Sequence, residues 1–178
     1  VQTCALPICL YDSSLVLLVS DHGEGLGDHG EEEHGLSLYR EALQVPLVVK
    51  LPRAERAGER VRRNVALIDI VPTVLDLLGA PGGAGSALPG RSLLAPDASV
   101  PAERTIYSET LYPALHFGWS DLASIVRGDL HLIEGLRPEL FDLANDPGER
   151  HDRATDERRA LAEMRRALAS IDRTVAAP

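Results

Sequence analysis

The chain has 178 residues and a formal net charge of −9, with 44% hydrophobic and 25% charged residues. That balance fits one globular domain, with room for a small appended subdomain, and excludes extended disorder. The acidic excess disfavours nucleic acid or an anionic membrane surface as the main partner, although bound divalent cations can invert the local potential towards an anionic substrate.

The opening Val1-Gln2-Thr3-Cys4-Ala5-Leu6-Pro7-Ile8 reads as the in-frame translation of GTTCAGACGTGTGCTCTTCCGATC, the end of a widely used sequencing adapter whose next base, T, also begins a Cys9 codon. Residues 1–9 are therefore expected to be an adapter artefact, the natural sequence to start near Leu10 within a longer protein, and both cysteines to carry no redox information. No apolar run reaches the ~18 residues of a membrane span, and no signal-peptide pattern opens the chain. Leu15-Val16-Leu17-Leu18-Val19 predicts a short strand buried on both faces, as in a parallel sheet covered by helices. Residues 21–35 hold five glycines and no apolar period, so they form an irregular loop at the strand's C-terminal end, where open α/β sheets bind ligands. Leu38 to Leu43 predicts a short helix, and Val45-Pro46-Leu47-Val48-Val49 a strand that begins at Pro46 or lies at an edge. Arg53 to Arg63 is charged and predicts a solvent-facing loop or hairpin. A helix follows, with Asp69 as N-cap, Pro72 in the first turn, Gly79 as the stop and a broad apolar face for packing on a sheet. Pro81 to Gly90 is a Gly/Pro-rich surface loop, and the stretch to Pro101 links two units.

The remainder predicts a small α+β unit. Strands are expected at 105–109, 123–127, 130–133 and 139–143, with a Gly128-Asp129 hairpin turn, a turn at Asn145-Asp146-Pro147-Gly148 and a final helix over 156–172. Leu161, Met164, Leu168 and Ile171 share one face of that helix. The domain division is thus 1–9 artefact, 10–100 part of an α/β domain, and 101–178 an α+β subdomain.

Chemistry concentrates in the glycine-rich loop. Asp21 and His22 reach one cation only if the backbone turns sharply, which Gly23 permits; a turn cap plus a surface histidine is the plainer alternative. His29 and His34 follow, so half of the six histidines fall within thirteen residues, a clustering that favours metal or oxyanion chemistry. The Glu31-Glu32-Glu33 run reads as a solvated loop face.

The segment Ser20-Asp21-His22-Gly23-Glu24-Gly25-Leu26-Gly27-Asp28-His29-Gly30, with His34-Gly35 and Leu38-Tyr39-Arg40-Glu41, resembles the C-terminal metal-binding motif of sulfatases. Val45-Pro46-Leu47, Asp69-Ile70-Val71-Pro72-Thr73-Val74-Leu75-Asp76-Leu77 and Gly90-Arg91-Ser92-Leu93 follow in the family's order. Glu109-Thr110-Leu111-Tyr112-Pro113, His116-Phe117-Gly118-Trp119-Ser120 and Glu139-Leu140-Phe141-Asp142-Leu143-Ala144-Asn145-Asp146-Pro147-Gly148-Glu149 complete it, most like bacterial sulfatase-like proteins that often carry tetratricopeptide repeats.

The resemblance implies the C-terminal part of an alkaline-phosphatase-like α/β sheet sandwiched by helices, plus a C-terminal α+β subdomain with a short antiparallel sheet and terminal helix. It makes Asp21 and His22 ligands of one divalent cation. His34 stands where many sulfatases place a lysine touching the sulfate or leaving-group oxygen; an imidazole there can stabilise charge, act as a general acid or ligate a metal. His29 is either functional or a loop-fixing hydrogen-bond residue. His116 is either at the active-site rim, contacting substrate, or a packing histidine. The imidazole ligand leans the metal towards manganese or zinc, with calcium also compatible. The family's nucleophile is a formylglycine made from Cys or Ser, or in relatives Thr or Ser, and it lies in the N-terminal half. Neither Cys4 nor Cys9 opens the Cys/Ser-X-Pro-X-Arg pattern, so the fragment alone is expected to lack hydrolase activity. The expected substrate is a small-molecule or glycan sulfate ester. Phosphoryl or phosphonate esters are the alternative within the superfamily, and a non-catalytic metal-stabilised binding module the alternative outside enzymes. A parent protein that is periplasmic, extracellular or membrane-anchored is expected over a cytoplasmic one.

Overall fold

The computed structural model describes residues 10–80, 88–95 and 104–175. The adapter-like segment 1–9, most of the 81–90 loop and much of the link that follows it lie outside the described residues.

After a single helical turn, α1 (Leu10–Ser13), comes β1 (Val16–Val19). It pairs with β2 (Leu47–Lys50), and Pro46 sits just before the first ladder residue, where its missing N–H costs nothing. The pairing is antiparallel, with Leu18 opposite Val48. This corrects the expected parallel, doubly buried strand. A short apolar run does not encode strand direction, and these two strands form a ribbon with no third strand among the described residues. Leu18 and Val48 consequently remain 63% and 55% exposed.

Between the strands run the glycine-rich loop and α2 (Arg40–Leu43). The next helix, α3 (Ile70–Leu77), starts as predicted and stops at Gly79, whose left-handed φ of 62° lets the Ala80 N–H reach the Leu75 carbonyl at 2.9 Å. Its packing is narrower than its composition suggests. Pro72 and Thr73 are buried, while Val71 and Leu78 face solvent.

The C-terminal unit is an antiparallel meander: β3 (Thr105–Thr110), β4 (Leu122–Arg127), β5 (Leu130–Glu134) and β6 (Glu139–Asp142), in that spatial order. The Gly128-Asp129 turn joins β4 to β5, with Arg127 opposite Leu130. A six-residue helix, α4 (Tyr112–Phe117), which periodicity did not predict, sits between β3 and β4. The terminal helix α5 (Arg158–Val175) places Met164 and Leu168 in the core, with Leu161 and Ile171 packed beside them.

Strand alternation divides the sheet into two working faces. Ile125, Leu132 and Leu140 point at α5, Met164 and Leu168. Their neighbours Ile133 and Phe141 point the other way, onto Leu38, Tyr39 and Leu43 at the end of the glycine-rich loop. Burial of a side chain such as Phe141, only 2% exposed, is worth roughly 1.5–3 kcal/mol. The meander therefore serves as a backing plate for the segment that carries the motif histidines.

Candidate functional site

The turn at Asp21-His22 is made by backbone contact. The Gly23 N–H donates to the Ala42 carbonyl at 2.8 Å, and a Cβ on Gly23 would lie 1.8 Å from the Glu41 carbonyl oxygen. Only glycine lets the loop press so closely on α2. The loop then doubles back on itself: Gly25, Leu26 and Gly27 donate to the carbonyls of Glu33, Glu32 and Glu31 at 2.7, 3.2 and 2.9 Å. Glu31 anchors the return. Its carboxylate accepts the Leu36 N–H at 2.7 Å, the Ser37 N–H at 3.0 Å and the Ser37 hydroxyl. The solvated-face reading of the acidic run therefore holds for Glu32 and Glu33 but not for Glu31, which is buried.

The result of this folding is a ring pair. His22 and His34 stack with centroids 3.8 Å apart and planes 26° from parallel. His22 Nδ1 lies 2.8 Å from the Gly23 carbonyl, which can only accept, so Nδ1 carries the hydrogen and Nε2 keeps its lone pair. His34 Nδ1 faces the Glu24 carboxylate at 3.2 Å, which fixes the same tautomer. Asp21 Oδ1 stands 3.7 Å from His22 Nε2. With ligand bonds of about 2.0–2.2 Å, two donors at that separation fit a single cation. Among the described residues no group of three or more His, Cys, Asp or Glu is arranged to hold a metal. Asp21 Oδ1 and His22 Nε2 are thus two neighbouring donors and not a closed coordination sphere.

His29 belongs to a different cluster. Its Nδ1 is 2.6 Å from Glu41 Oε1, its Nε2 is 3.1 Å from the Glu149 carbonyl, and its ring stacks on Tyr39 at 3.8 Å. Together with Arg40, Glu139 and Arg150 these groups line a cleft of about 710 Å³ between the loop and the meander. Burial opposes a charged His29, but the Glu41 hydrogen bond and the Glu149 contacts outweigh it and raise its pKa. Burial also raises Tyr39 and Glu139, which share a hydrogen bond of 3.0 Å. A raised histidine contributes stability in full below its unfolded value of about 6.5 and loses it as pH climbs through the folded value. The denaturant midpoint of the chain is therefore expected to fall across that window, and His29→Gln to flatten this part of the profile.

His116 lies on α4, its ring 4.1 Å from that of Tyr112. The helix adjoins the His34 segment: Thr110 Oγ1 donates to the Gly35 carbonyl at 2.7 Å, and the Tyr112 ring lies against Gly35. The structure thus groups Asp21, His22 and His34, links His116 to the His34 segment only through Tyr112 against Gly35, and separates His29.

Two functional-looking residues escaped the sequence reading. Glu149 and His131 are both fully buried and pair through Oε1 and Nδ1, while the second Glu149 oxygen accepts the Arg40 N–H at 2.6 Å. The signal for Glu149 was its place at the end of the 139–149 landmark, directly after the Asp-Pro-Gly turn, with no role attached to it.

Residues 9–80 match the sulfatase family model. The chain is 31% identical over 151 residues to the sulfatase YidJ of Escherichia coli K12, a match that covers 82% of this chain and 29% of that protein. It is 29% identical over 171 residues to a Δ4,5-hexuronate-2-O-sulfatase of Bacteroides thetaiotaomicron, covering 88% and 34%. The phosphonate monoester hydrolase of Agrobacterium radiobacter superposes with a TM-score of 0.72 at 26% identity, over 94% of this chain and 36% of that one. These matches place the architecture in the alkaline-phosphatase superfamily. Within it, residues 9–80 carry the sulfatase family domain, and the chain spans about a third of the length of the relatives it matches.

Proposed function

We propose that this chain supplies the C-terminal ligand edge of a metal-dependent sulfate-ester hydrolase, with Asp21 and His22 as two ligands of one divalent cation. The observation that carries the reading is the stacked His22–His34 pair beside Asp21, with both Nδ1 atoms engaged within the loop and His22 Nε2 3.7 Å from Asp21 Oδ1. A manganese, zinc or calcium ion bound there would polarise a sulfuryl oxygen and orient the nucleophile. His34 meets the sulfate or leaving-group oxygen through Nε2, while Glu24 holds the ring's orientation from Nδ1. The formylglycine or hydroxyl nucleophile and the remaining acidic ligands come from sequence outside this chain, which alone is therefore inactive. The similarity to a hexuronate sulfatase favours a sugar sulfate as substrate.

The test uses a polypeptide that joins this chain to the upstream part of the fold. Asp21→Ala and His22→Ala are each expected to remove the cation, measured by elemental analysis. Hydrolysis of a sulfate monoester should fall by more than the roughly 10–100-fold typical of lost outer-shell partners. Full metal content with undiminished turnover in either variant would overturn the assignment. A second reading, phosphonate or phosphate monoester hydrolysis, draws on the similarity to the Agrobacterium enzyme. A kcat/KM for a phosphonate monoester above that for the matching sulfate would favour it.

A further inference from the structure

The aromatic run at residues 112–119 belongs to neither hydrophobic core, and the chemistry above does not use it. Tyr112, Phe117 and Trp119 are 43%, 52% and 65% exposed. They are nevertheless connected: ring centroids lie 6.1 Å apart for Tyr112–Phe117 and 5.1 Å for Phe117–Trp119, with the His116 ring tilted 31° against Tyr112 at 4.1 Å. Scattered single exposed apolar residues need no explanation, but a contiguous ring array does.

Backbone geometry, more than core packing, positions the array. Pro113 is buried in the first turn of α4. At its other end Gly118, with a left-handed φ of 66°, donates to the Ala114 carbonyl at 3.1 Å and turns the chain so that the Trp119 N–H meets the Pro113 carbonyl at 3.2 Å. The inner end of the array is Tyr112, whose ring lies against Gly35, the residue that follows His34. Tyr112 therefore ties the ring array to the segment of the histidine assigned to the ester oxygen.

We propose that Tyr112, His116, Phe117 and Trp119 form a shelf that stacks the pyranose ring of a sulfated sugar while its ester group sits at His34. This rests on the reading of His34 given above. An aryl group is best held in an enclosed apolar slot, whereas this surface is open, and His116, Ser120 and Asp121 beside the rings are exposed polar groups. A pyranose offers an apolar C–H face and a rim of hydroxyls, which an open aromatic face edged by polar groups matches on both counts.

Trp119 is the chain's one tryptophan, so its fluorescence reports the shelf directly. The full chain is titrated with N-acetylglucosamine 6-sulfate, unsulfated N-acetylglucosamine and phenyl sulfate. The sulfated sugar is expected to change Trp119 emission saturably. Tyr112→Ala and Phe117→Ala should each raise its Kd about fivefold or more, Tyr112→Phe should keep it within about twofold, and His34→Ala should reduce the affinity to that of the unsulfated sugar. Far-UV circular dichroism confirms that the variants are folded. Absence of a saturable change with either sugar, an unchanged Kd in folded Tyr112→Ala, or tighter binding of phenyl sulfate than of the sugar would overturn the shelf. The cation assignment is read separately, from the metal content of Asp21→Ala, so its failure and failure of the shelf are distinguished.

Discussion

An Asp69→Ala chain is expected to lose about 3–5 kcal/mol of unfolding free energy, the range for removing one partner of a buried ion pair. Asp69 is 0% exposed, and its carboxylate faces the Arg104 guanidinium in a two-pronged pair, with Arg104 Nη2 2.7 Å from Oδ1. The same oxygens accept the Ala66 N–H at 2.9 Å and the Arg91 N–H at 2.8 Å. Alanine would leave a guanidinium and two amides without their acceptor in a site closed to water. The loss spreads because the neighbouring segment is held by the same helix. Thr73 Oγ1 donates to the Asp69 carbonyl at 2.6 Å and accepts the Leu93 N–H at 2.9 Å, and Ser92 Oγ donates to Asp76 at 2.5 Å. Gly90 lies so close to Ile68 that a Cβ would fall 1.9 Å from its carbonyl oxygen. Asp69, Thr73, Asp76, Gly90 and Ser92 are thus one polar clamp, and through Arg104 it ties α3 to the residue immediately before the meander. Hydrogen exchange at the Arg91 and Leu93 amides should accelerate in Asp69→Ala along with the fall in denaturant midpoint. The acid side adds a second readout. Burial pushes the Asp69 carboxyl up, but hydrogen bonds from Arg104, Ala66 and Arg91 outweigh it and hold it below the usual range. Its stabilisation is present above the unfolded value of about 3.9 and vanishes as pH falls through the lower folded value. The parent chain should therefore lose stability at acid pH more steeply than the alanine variant. A midpoint unchanged in Asp69→Ala would show that Arg104 finds an equivalent partner.

The contrast between the legible and the illegible parts follows from the range of the interactions. The terminal helix was readable because Leu161, Met164, Leu168 and Ile171 repeat with the helical period along a single element. The β4–β5 hairpin was readable because Gly128 and Asp129 stand between two β-branched or leucine-rich runs. Strand direction in β1 was not, since Leu15–Val19 carries no information about its partner. Asp69 was placed correctly at the start of α3, yet its side chain turns back to Ala66 and across to Arg104, 35 residues away. Glu31 is one of three identical neighbours, and only the fold decides which of them meets Leu36 and Ser37. In the site, the Asp21-His22 turn was legible from Gly23. The stacking of His22 on His34 depends on a loop doubling back over eleven intervening residues, for which no local pattern exists. Six residues of α4 are too few for a periodic signal, and its only marks were Pro113 and Gly118.

Glu149→Ala should produce the second large loss, and it should be felt in the segment that carries the motif histidines. Glu149 is buried at 2% exposure with a positive φ of 50°, a conformation non-glycine residues seldom adopt. Its two oxygens divide the work: one accepts from His131 Nδ1 on β5, the other the Arg40 N–H at the start of α2. Each buried donor left without an acceptor costs about 1–3 kcal/mol, so alanine should destabilise by several kcal/mol in total. Glu149→Gln keeps the size and one acceptor oxygen and should recover part of that loss. Glu149→Gly separates the backbone contribution, because glycine relaxes the strained φ while removing the carboxylate. If the carboxylate is what holds the site together, glycine should fall close to alanine and not close to the parent. The linkage to function runs through Arg40. Its side chain also reaches the Pro147 carbonyl at 3.1 Å, and the adjacent Glu41 holds His29. Loss of the Glu149 anchor therefore frees α2 from the meander at the very point where Gly23 leans on Ala42. Faster hydrogen exchange at the Arg40 and Gly23 amides in Glu149→Ala, with α5 amides still protected, is the expected pattern. Uniform exchange across the chain would instead mean that Glu149 contributes only to global stability and does not set the position of the Asp21-His22 turn.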